Sequence, residues 1–115
     1  MPAAYQGSQM RSESLKKYIE QLAQNPGYAP GHYGFCIALF EKGLTAQGVA
    51  ECETTLKLDD KQCLAYYRLG VHYKAVLDKD NALEKCRGLI ECAGESRYED
   101  EVEECKNIVR QLEVQ

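Results

Sequence analysis

The sequence predicts an all-α protein in which about six helices form a stack of antiparallel helix pairs. First, one pattern occurs twice at a spacing of 34 residues, in residues 29–62 and again in residues 63–96, and repetition at a fixed spacing is typical of stacked repeats. Second, the apolar residues of each copy recur at steps of three and four, which is the periodicity of an α-helix. Both observations favour a repeat protein built from helices alone.

Each copy contains two helical patterns separated by a short break. The break is residues 43–45 in the first copy and residues 77–79 in the second. Because one amphipathic pair cannot bury both of its apolar stripes alone, neighbouring pairs must stack. Small residues, which let helix axes approach closely, fall where the helices of a pair should cross: Cys36 and Gly48, then Gly70 and Ala82. The stripes are Phe35, Cys36, Leu39, Phe40, Val49, Cys52 and Leu56 in the first copy and Tyr66, Leu69, Gly70, Tyr73, Leu83, Cys86 and Ile90 in the second.

The second copy resembles the tetratricopeptide repeat (TPR) family, whose helical repeat has 34 positions. The residues that carry the resemblance are Tyr66, Leu69, Gly70, Tyr73 and Ala82. The first copy is looser, with Cys36 at the small position of the motif and Gly48 in place of its Ala. The resemblance implies a right-handed superhelical stack of helix pairs, a TPR-like solenoid, in which the first helix of each pair lines a concave surface.

The N-terminal elements are a tail and a single helix. Residues 1–9 consist largely of Pro, Ala, Gly, Ser and Gln, and we expect a flexible N-terminal tail there. Residues 10–26 resemble the second helix of a TPR unit, a half repeat that ends at Pro26 because Pro cannot continue a helix. Its expected buried positions are Leu15, Tyr18 and Leu22.

The C-terminal element is a helix that caps the stack. Gly94 suits a left-handed end to the preceding helix, and Ser96 with Glu99 forms the pattern of a capping box. We expect residues 97–113 to form a helix with one apolar and one polar face, as the end of a repeat array requires. Its apolar residues are Val102, Cys105, Ile108, Val109 and Leu112.

The chain has six cysteines, and their spacing fits neither a zinc knuckle nor a thioredoxin-like pair. Cys36, Cys52 and Cys86 fall on the predicted buried stripes. We therefore interpret the cysteines as small buried hydrophobes in a reducing compartment, with disulfide or metal binding as the alternatives. A bond from Cys52 to Cys86 is disfavoured, because equivalent positions of adjacent repeats usually lie further apart than the ~5.5 Å between Cα atoms that a disulfide needs.

Charge and hydropathy exclude several classes of function. The net charge is −4, so the basic surface of a nucleic-acid binder is missing. No stretch approaches the ~20 apolar residues of a membrane span, and residues 1–9 do not have the pattern of a secretory signal. We therefore expect a cytoplasmic protein with no nucleic-acid partner and no membrane insertion; a longer parent chain would allow another compartment.

We find no pattern of catalysis. The two histidines, His32 and His72, fall on different predicted helices, whereas a nucleophile needs a base beside it. There is no Gly-rich phosphate loop, no His-Glu-x-x-His and no set of carboxylates spaced for calcium. We expect no enzyme, no cofactor and no metal site.

The TPR resemblance implies a partner-binding groove on the first helix of each repeat. The sequence makes this groove apolar and aromatic, and aromatic anchors often carry the binding energy of an interface. We therefore predict a non-enzymatic adaptor that binds a peptide or helix of a partner protein. The alternative is a structural self-association module, a homo-oligomer included, whose groove is covered by its own chain or by another subunit. The predicted groove residues are Tyr33, Ile37, Phe40, Tyr67, Val71 and Lys74.

Overall fold

A computed structural model describes residues 13–115. The predicted tail and the first residues of the half repeat lie outside this range. The described residues form six α-helices and no β-strand, which confirms the all-α class and the expected number of helices. None of the helices described between residues 13 and 115 is long and apolar enough to span a membrane. The chain divides into two compact units, the first ending at Asp59 and the second spanning Asp60–Gln115.

The first unit contains three helices: α1 (Glu13–Gln24), α2 (Ala29–Glu41) and α3 (Thr45–Leu58). Helix α2 packs against both of the others. The ring of Tyr18 stacks on that of Phe35, with 5.9 Å between the centroids. The half repeat is thus a single helix whose apolar side is covered by α2. The core of the first unit consists of Leu15, Phe35 and Leu39, surrounded by Tyr18, Ile19, Leu22, Ala38 and Leu44.

Helices α2 and α3 run antiparallel. Cys36 lies opposite Cys52, and Phe40, one turn further along α2, lies opposite Gly48 on the earlier part of α3. A Cβ atom on residue 48 would lie 3.1 Å from the Phe40 ring and 3.3 Å from the carbonyl oxygen of Cys36. Gly48 therefore permits the close crossing that the sequence predicted there.

The second unit contains α4 (Cys63–Ala75), α5 (Lys79–Ala93) and α6 (Glu99–Glu113). Helix α5 packs against α4 and α6, and α6 also touches α4. The apolar stripe predicted for the last helix is buried, apart from Val109, which is half-buried. The buried core is formed by Cys63, Ala82, Cys86, Leu89, Ala93, Val102, Cys105, Ile108 and Leu112.

Helices α4 and α5 are also antiparallel and cross closely. Gly70 lies against Cys86, and the ring of Tyr66, one turn earlier on α4, lies against Gly88, later on α5. A Cβ atom on residue 88 would stand 2.5 Å from that ring. The predicted small residue at position 70 is therefore confirmed, and Gly88 is a second close approach that the stripe pattern did not include.

The two helix pairs turn in the same way. Gly43 has φ of 77° and Leu77, at the equivalent position 34 residues later, has φ of 63°. The following Asp78 is the N-cap of α5, and its carboxylate accepts a hydrogen bond from the backbone amide of Asn81 at 3.2 Å. Hydrogen bonds from the Asn81 side chain and backbone lower the pKa of Asp78. Both turns thus need a left-handed residue at one position, which Gly accommodates easily and Leu does not.

The start of α6 differs from the prediction. The helix begins at Glu99, after Tyr98 at φ of 54°, and no side chain caps it, so the expected capping box at Ser96 does not form. The connecting segment is instead held by Arg97, whose guanidinium donates to the carbonyl oxygen of Cys92 at 2.8 Å. Gly94 does adopt a positive φ, of 70°. Attachment of residue 97 to the end of α5 therefore replaces the local cap.

All six cysteines lie in the described range and are paired in three disulfide bonds, so their interpretation as free thiols is wrong. The Cα atoms of the three pairs are 5.5, 5.6 and 5.0 Å apart. Each bond joins two helices, because a helix crossing brings together residues that the sequence keeps apart. The bonds are Cys36–Cys52 between α2 and α3, Cys63–Cys92 between α4 and α5, and Cys86–Cys105 between α5 and α6. Cys63–Cys92 joins the start of α4 to the end of α5, which are the outer ends of this pair, away from the turn that connects the two helices.

Candidate functional site

The predicted groove residues lie on the first helix of each pair, three on α2 and three on α4. Within each helix they follow a spacing of three or four residues, which places them along one side. Only one of the six is exposed. The half-buried residues are Tyr33, Ile37, Phe40, Tyr67 and Val71, and the exposed one is Lys74.

Phe40 faces α3. Two carbons of its ring would lie 3.1 and 3.2 Å from a Cβ atom on Gly48. This ring therefore fills the space that Gly48 leaves at the helix crossing. It contributes to the packing of the first unit, and only part of it is available to a partner.

The second unit has a cleft between α4 and α6, which we call the α4–α6 cleft, with a volume of about 450 Å³. Two of the predicted groove residues, Val71 and Lys74, line it. Its apolar surface comes from Val71, Ala75 and Ile108, and its polar surface from Lys74, Glu104, Asn107 and Gln111. The face of α4 that the sequence assigned to a groove therefore does border a concave surface.

Tyr67, the third predicted residue on α4, is held by its own chain. Its hydroxyl donates a hydrogen bond of 2.7 Å to Glu104 Oε1 on α6, and its ring packs against the core of the second unit. The hydrogen bond to Glu104, followed by partial burial, raises the pKa of Tyr67 to about 12. Tyr67 thus connects α4 to α6 through Glu104, and Glu104 also lines the α4–α6 cleft.

Three cleft residues on α6 were missed by the sequence analysis: Glu104, Asn107 and Gln111. They are exposed and recur at steps of three and four, beside the buried stripe of the same helix. That periodicity was the available signal. The predicted polar face of this helix includes these residues, but nothing in a single sequence says which part of a polar face lies beside a neighbouring helix.

The rings of both histidines contact other residues of the protein. In the first unit, His32 Nδ1 lies 2.6 Å from Glu51 Oε1, and His32 Nε2 lies 2.7 Å from the carbonyl oxygen of Pro26. Both ring nitrogens are therefore engaged, and the nearly buried Glu51 has a partner. His72 is half-buried on α4, where its ring meets the edge of Tyr73 at 5.3 Å between centroids.

The equivalent positions of the second repeat replace this pair by Tyr66 and Lys85. Lys85 is nearly buried, as Glu51 is, and its charge acts on the phenol of Tyr66. Burial first and the negative charge of Asp60 second raise the pKa of Tyr66, and the positive charge of Lys85 acts in the opposite direction. Within residues 13–115, no three His, Cys, Asp or Glu side chains cluster in a way that could hold a metal ion.

No family model matches the chain, and the search of curated proteins finds no relative. The relation to the TPR family therefore depends on the repeat residues themselves and stays a resemblance.

Proposed function

We propose that this protein is a non-enzymatic interaction module, an adaptor of TPR type, that binds a peptide or helix of a partner protein in the α4–α6 cleft. The observation that carries the proposal is the concave surface of about 450 Å³ on the face of α4 where the TPR resemblance implies a groove. The right-handed superhelical stacking of helix pairs is part of this proposal and comes from the resemblance.

The lining of the cleft indicates the chemistry of the partner. Apolar contacts to Val71, Ala75 and Ile108 suit aliphatic or aromatic side chains, and the amides of Asn107 and Gln111 can donate to and accept from a backbone. An amphipathic helix with apolar residues at steps of three and four presents such a surface. Charges of both signs at the rim would orient the bound segment.

Selection from a random peptide library on the immobilised protein tests this proposal. We expect enrichment of peptides with apolar residues at helical spacing, and binding weakened about tenfold or more by the exposed changes Lys74→Glu and Gln111→Arg, roughly 1.4 kcal/mol. The matched control is Lys106→Glu, an exposed charge reversal on α6 outside the cleft. Equal affinity for all three variants and the wild type would place binding elsewhere.

A structural self-association module is the second candidate, and the hydrogen bond between Tyr67 and Glu104 favours the form in which the groove is covered by its own chain. Through this bond α6 of the same chain covers part of the face that the sequence assigned to a partner. Sedimentation over a wide dilution series tests for association between copies. A protein that remains monomeric at the highest concentration excludes that association, and binding of a selected peptide to the monomer excludes a groove closed by its own chain.

The disulfides also bear on where the protein acts. Three disulfides in a chain of 115 residues are typical of oxidising compartments, whereas cytoplasmic thiols are kept reduced. We therefore favour an oxidising compartment over the cytoplasm that we expected from the sequence. Thiol counting on protein taken directly from its native cells, with and without reductant, tests this, and six free thiols in the native material would contradict it.

A further inference from the structure

The three disulfides differ in their access to solvent. Both sulfurs of Cys36–Cys52 and of Cys86–Cys105 belong to residues that are fully buried, and Cys63 is 2% exposed. Cys92 is half-buried. It lines a second cleft of about 440 Å³ in the second unit, together with Lys61, Tyr66, Glu91 and Arg97. A thiol from solution can therefore reach the bond between Cys63 and Cys92, and it can do so at Cys92.

The two sulfurs of this bond also differ in their electrostatic surroundings. Cys63 is the first residue of α4, where the helix dipole and the free backbone amides stabilise an anion. The guanidinium of Arg97 places Nη2 at 3.7 Å from Cys63 Sγ. Cys92 lies one residue before the end of α5, where the dipole disfavours an anion. Negative charge is therefore held better on Cys63 than on Cys92.

Arg97 is fixed in this position. Its guanidinium donates to the carbonyl oxygens of Cys92 at 2.8 Å and of Ala93 at 3.4 Å. These bonds also occupy carbonyls at the C-terminal end of α5. The positive charge next to Cys63 is thus built into the connection between α5 and α6.

We propose that Cys63–Cys92 is a thiol–disulfide exchange site, at which a low-molecular-weight thiol enters the cleft, attacks Cys92 Sγ and displaces Cys63. The exposed sulfur is the one attacked, and the sulfur that holds negative charge better is the one that leaves. Both features match what makes exchange fast, namely access to the attacked sulfur and a stabilised leaving thiolate.

The exchange balances with a dithiol as the reductant. Its first thiolate forms a bond to Cys92 Sγ, the bond between Cys63 and Cys92 breaks, and Cys63 leaves as a thiolate beside Arg97. The second thiolate of the reductant then attacks the reductant's first sulfur, which is bonded to Cys92 in the mixed disulfide. This releases Cys92, which takes a proton from water. The reductant is oxidised to a disulfide and the protein gains two thiols. This opens the outer end of the α4–α5 pair, while Cys86–Cys105 still ties α5 to α6.

Partial reduction with dithiothreitol under native conditions tests the order of opening. Free thiols are trapped with iodoacetamide after increasing times, and the labelled cysteines are identified by peptide mapping in a mass spectrometer. We expect Cys63 and Cys92 to be labelled first, about tenfold or more ahead of the other four cysteines. Equal rates for all three disulfides, or earlier opening of either buried one, would overturn the proposal.

Glutathione, a monothiol, tests which sulfur is attacked. The protein is incubated with reduced glutathione and quenched with acid, and the mixed disulfide is located by peptide mapping. We expect the glutathione adduct on Cys92. An adduct mainly on Cys63 would refute the proposed direction of attack.

A set of arginine variants tests the role of the charge. We expect Arg97→Gln to slow the opening of Cys63–Cys92 about threefold, the size expected when a leaving thiolate loses a neighbouring charge, and Arg97→Lys to restore most of the rate. Arg87→Gln, on α5 but paired with Glu113 at 2.5 Å, is the control and should leave the rate unchanged. If Arg97 only held the fold together, Arg97→Gln would loosen the unit and open the bond faster, and a faster or unchanged rate would therefore overturn the proposal.

Discussion

Gly70 lies directly against Cys86, so that a Cβ atom on residue 70 would stand 2.7 Å from the Cys86 sulfur. In the first repeat the equivalent positions are Cys36 and Cys52, and these two are bonded to each other. In the second repeat the glycine leaves Cys86 without a partner on α4, and its sulfur bonds Cys105 on α6 instead. This one difference between the repeats directs the sulfur of Cys86 to α6, while α4 and α5 are joined at another point by Cys63–Cys92.

Gly70→Ala should lower the free energy of unfolding by about 1–3 kcal/mol, the usual cost of overpacking a core. The added methyl group meets a sulfur that is tied to α6 and a backbone nitrogen of Cys86 at 3.3 Å, so neither neighbour can easily retreat. Urea unfolding followed by circular dichroism measures the change. Gly27→Ala is the control, because a Cβ atom there meets nothing within 4 Å; unfolding midpoints that agree between the two variants would contradict the close contact.

His32→Ala should destabilise the first unit by about 1.5–3 kcal/mol, because it removes the 2.6 Å hydrogen bond between His32 and the nearly buried carboxylate of Glu51. Chemical denaturation measures the loss. Lys57→Ala, an exposed change on the same α3 helix as Glu51, is the control and should stay within about 0.5 kcal/mol of the wild type. The double variant His32→Ala with Glu51→Ala should lose less than the sum of the two single variants, since each single change already removes the same hydrogen bond, and a fully additive result would argue against the pair.

Leu77→Gly should stabilise the second unit by roughly 0.5–1 kcal/mol. A left-handed conformation costs a non-glycine residue about 1–2 kcal/mol, and the added flexibility of glycine offsets part of the gain. Leu77 is 90% exposed, so its removal sacrifices almost no burial. The opposite substitution, Gly43→Leu at the equivalent turn, should be destabilising. Thermal melting of both variants shows whether each one is more or less stable than the wild type. A less stable Leu77→Gly variant would show that the leucine makes a contact worth more than its strain.

Tyr67 should ionise about two pH units later than an ordinary tyrosine, because its pKa is raised from 10.0 to about 12 by the hydrogen bond to Glu104. The unfolded chain releases this proton near pH 10, so the stabilising effect of the hydrogen bond is fully present below pH 10 and is lost as the pH rises toward 12. Tyrosinate absorbance of the wild type, compared with that of Tyr67→Phe, isolates this group.

Glu104→Ala should return the pKa of Tyr67 toward 10, whereas Glu103→Ala, which removes a neighbouring carboxylate that pairs with Arg110, should leave it high. The expected difference between the two variants appears in the same absorbance titration. Because the pKa of Tyr66 is also raised, the titration of Glu104→Ala is compared with that of the same variant carrying Tyr67→Phe. A late ionisation that disappears with Tyr67→Phe would assign the shift of Tyr67 to burial instead.

Much of the helical framework could be predicted from the sequence. Leu69 and Cys86 fall on predicted stripes and are fully buried, and the small residues Gly48 and Gly70 lie at close helix crossings as expected. These predictions succeed because burial along a helix follows a local period of 3.6 residues, which is visible in the order of apolar residues. The start of α6 was predicted less well, because Arg97 outweighs the local capping signal.

The lining of the α4–α6 cleft follows only partly from the sequence. Val71 and Lys74 line the α4–α6 cleft, but Phe40 packs on Gly48 and Tyr67 binds Glu104. A helical wheel shows which residues share a side of a helix. It does not show which of them a neighbouring helix will cover, since that depends on where the two axes cross.

By itself, the sequence of this protein determined the helices, their order and the stripes they bury, since each of these follows from residues a few positions apart. Only the tertiary structure decided the pairing of the cysteines, which joins residues separated by 16, 19 and 29 positions. A disulfide forms only where two Cα atoms lie about 4.4–6.8 Å apart. That distance is set by the packing of helices against each other and by single residues such as Gly70, whose missing side chain lets α5 approach α4.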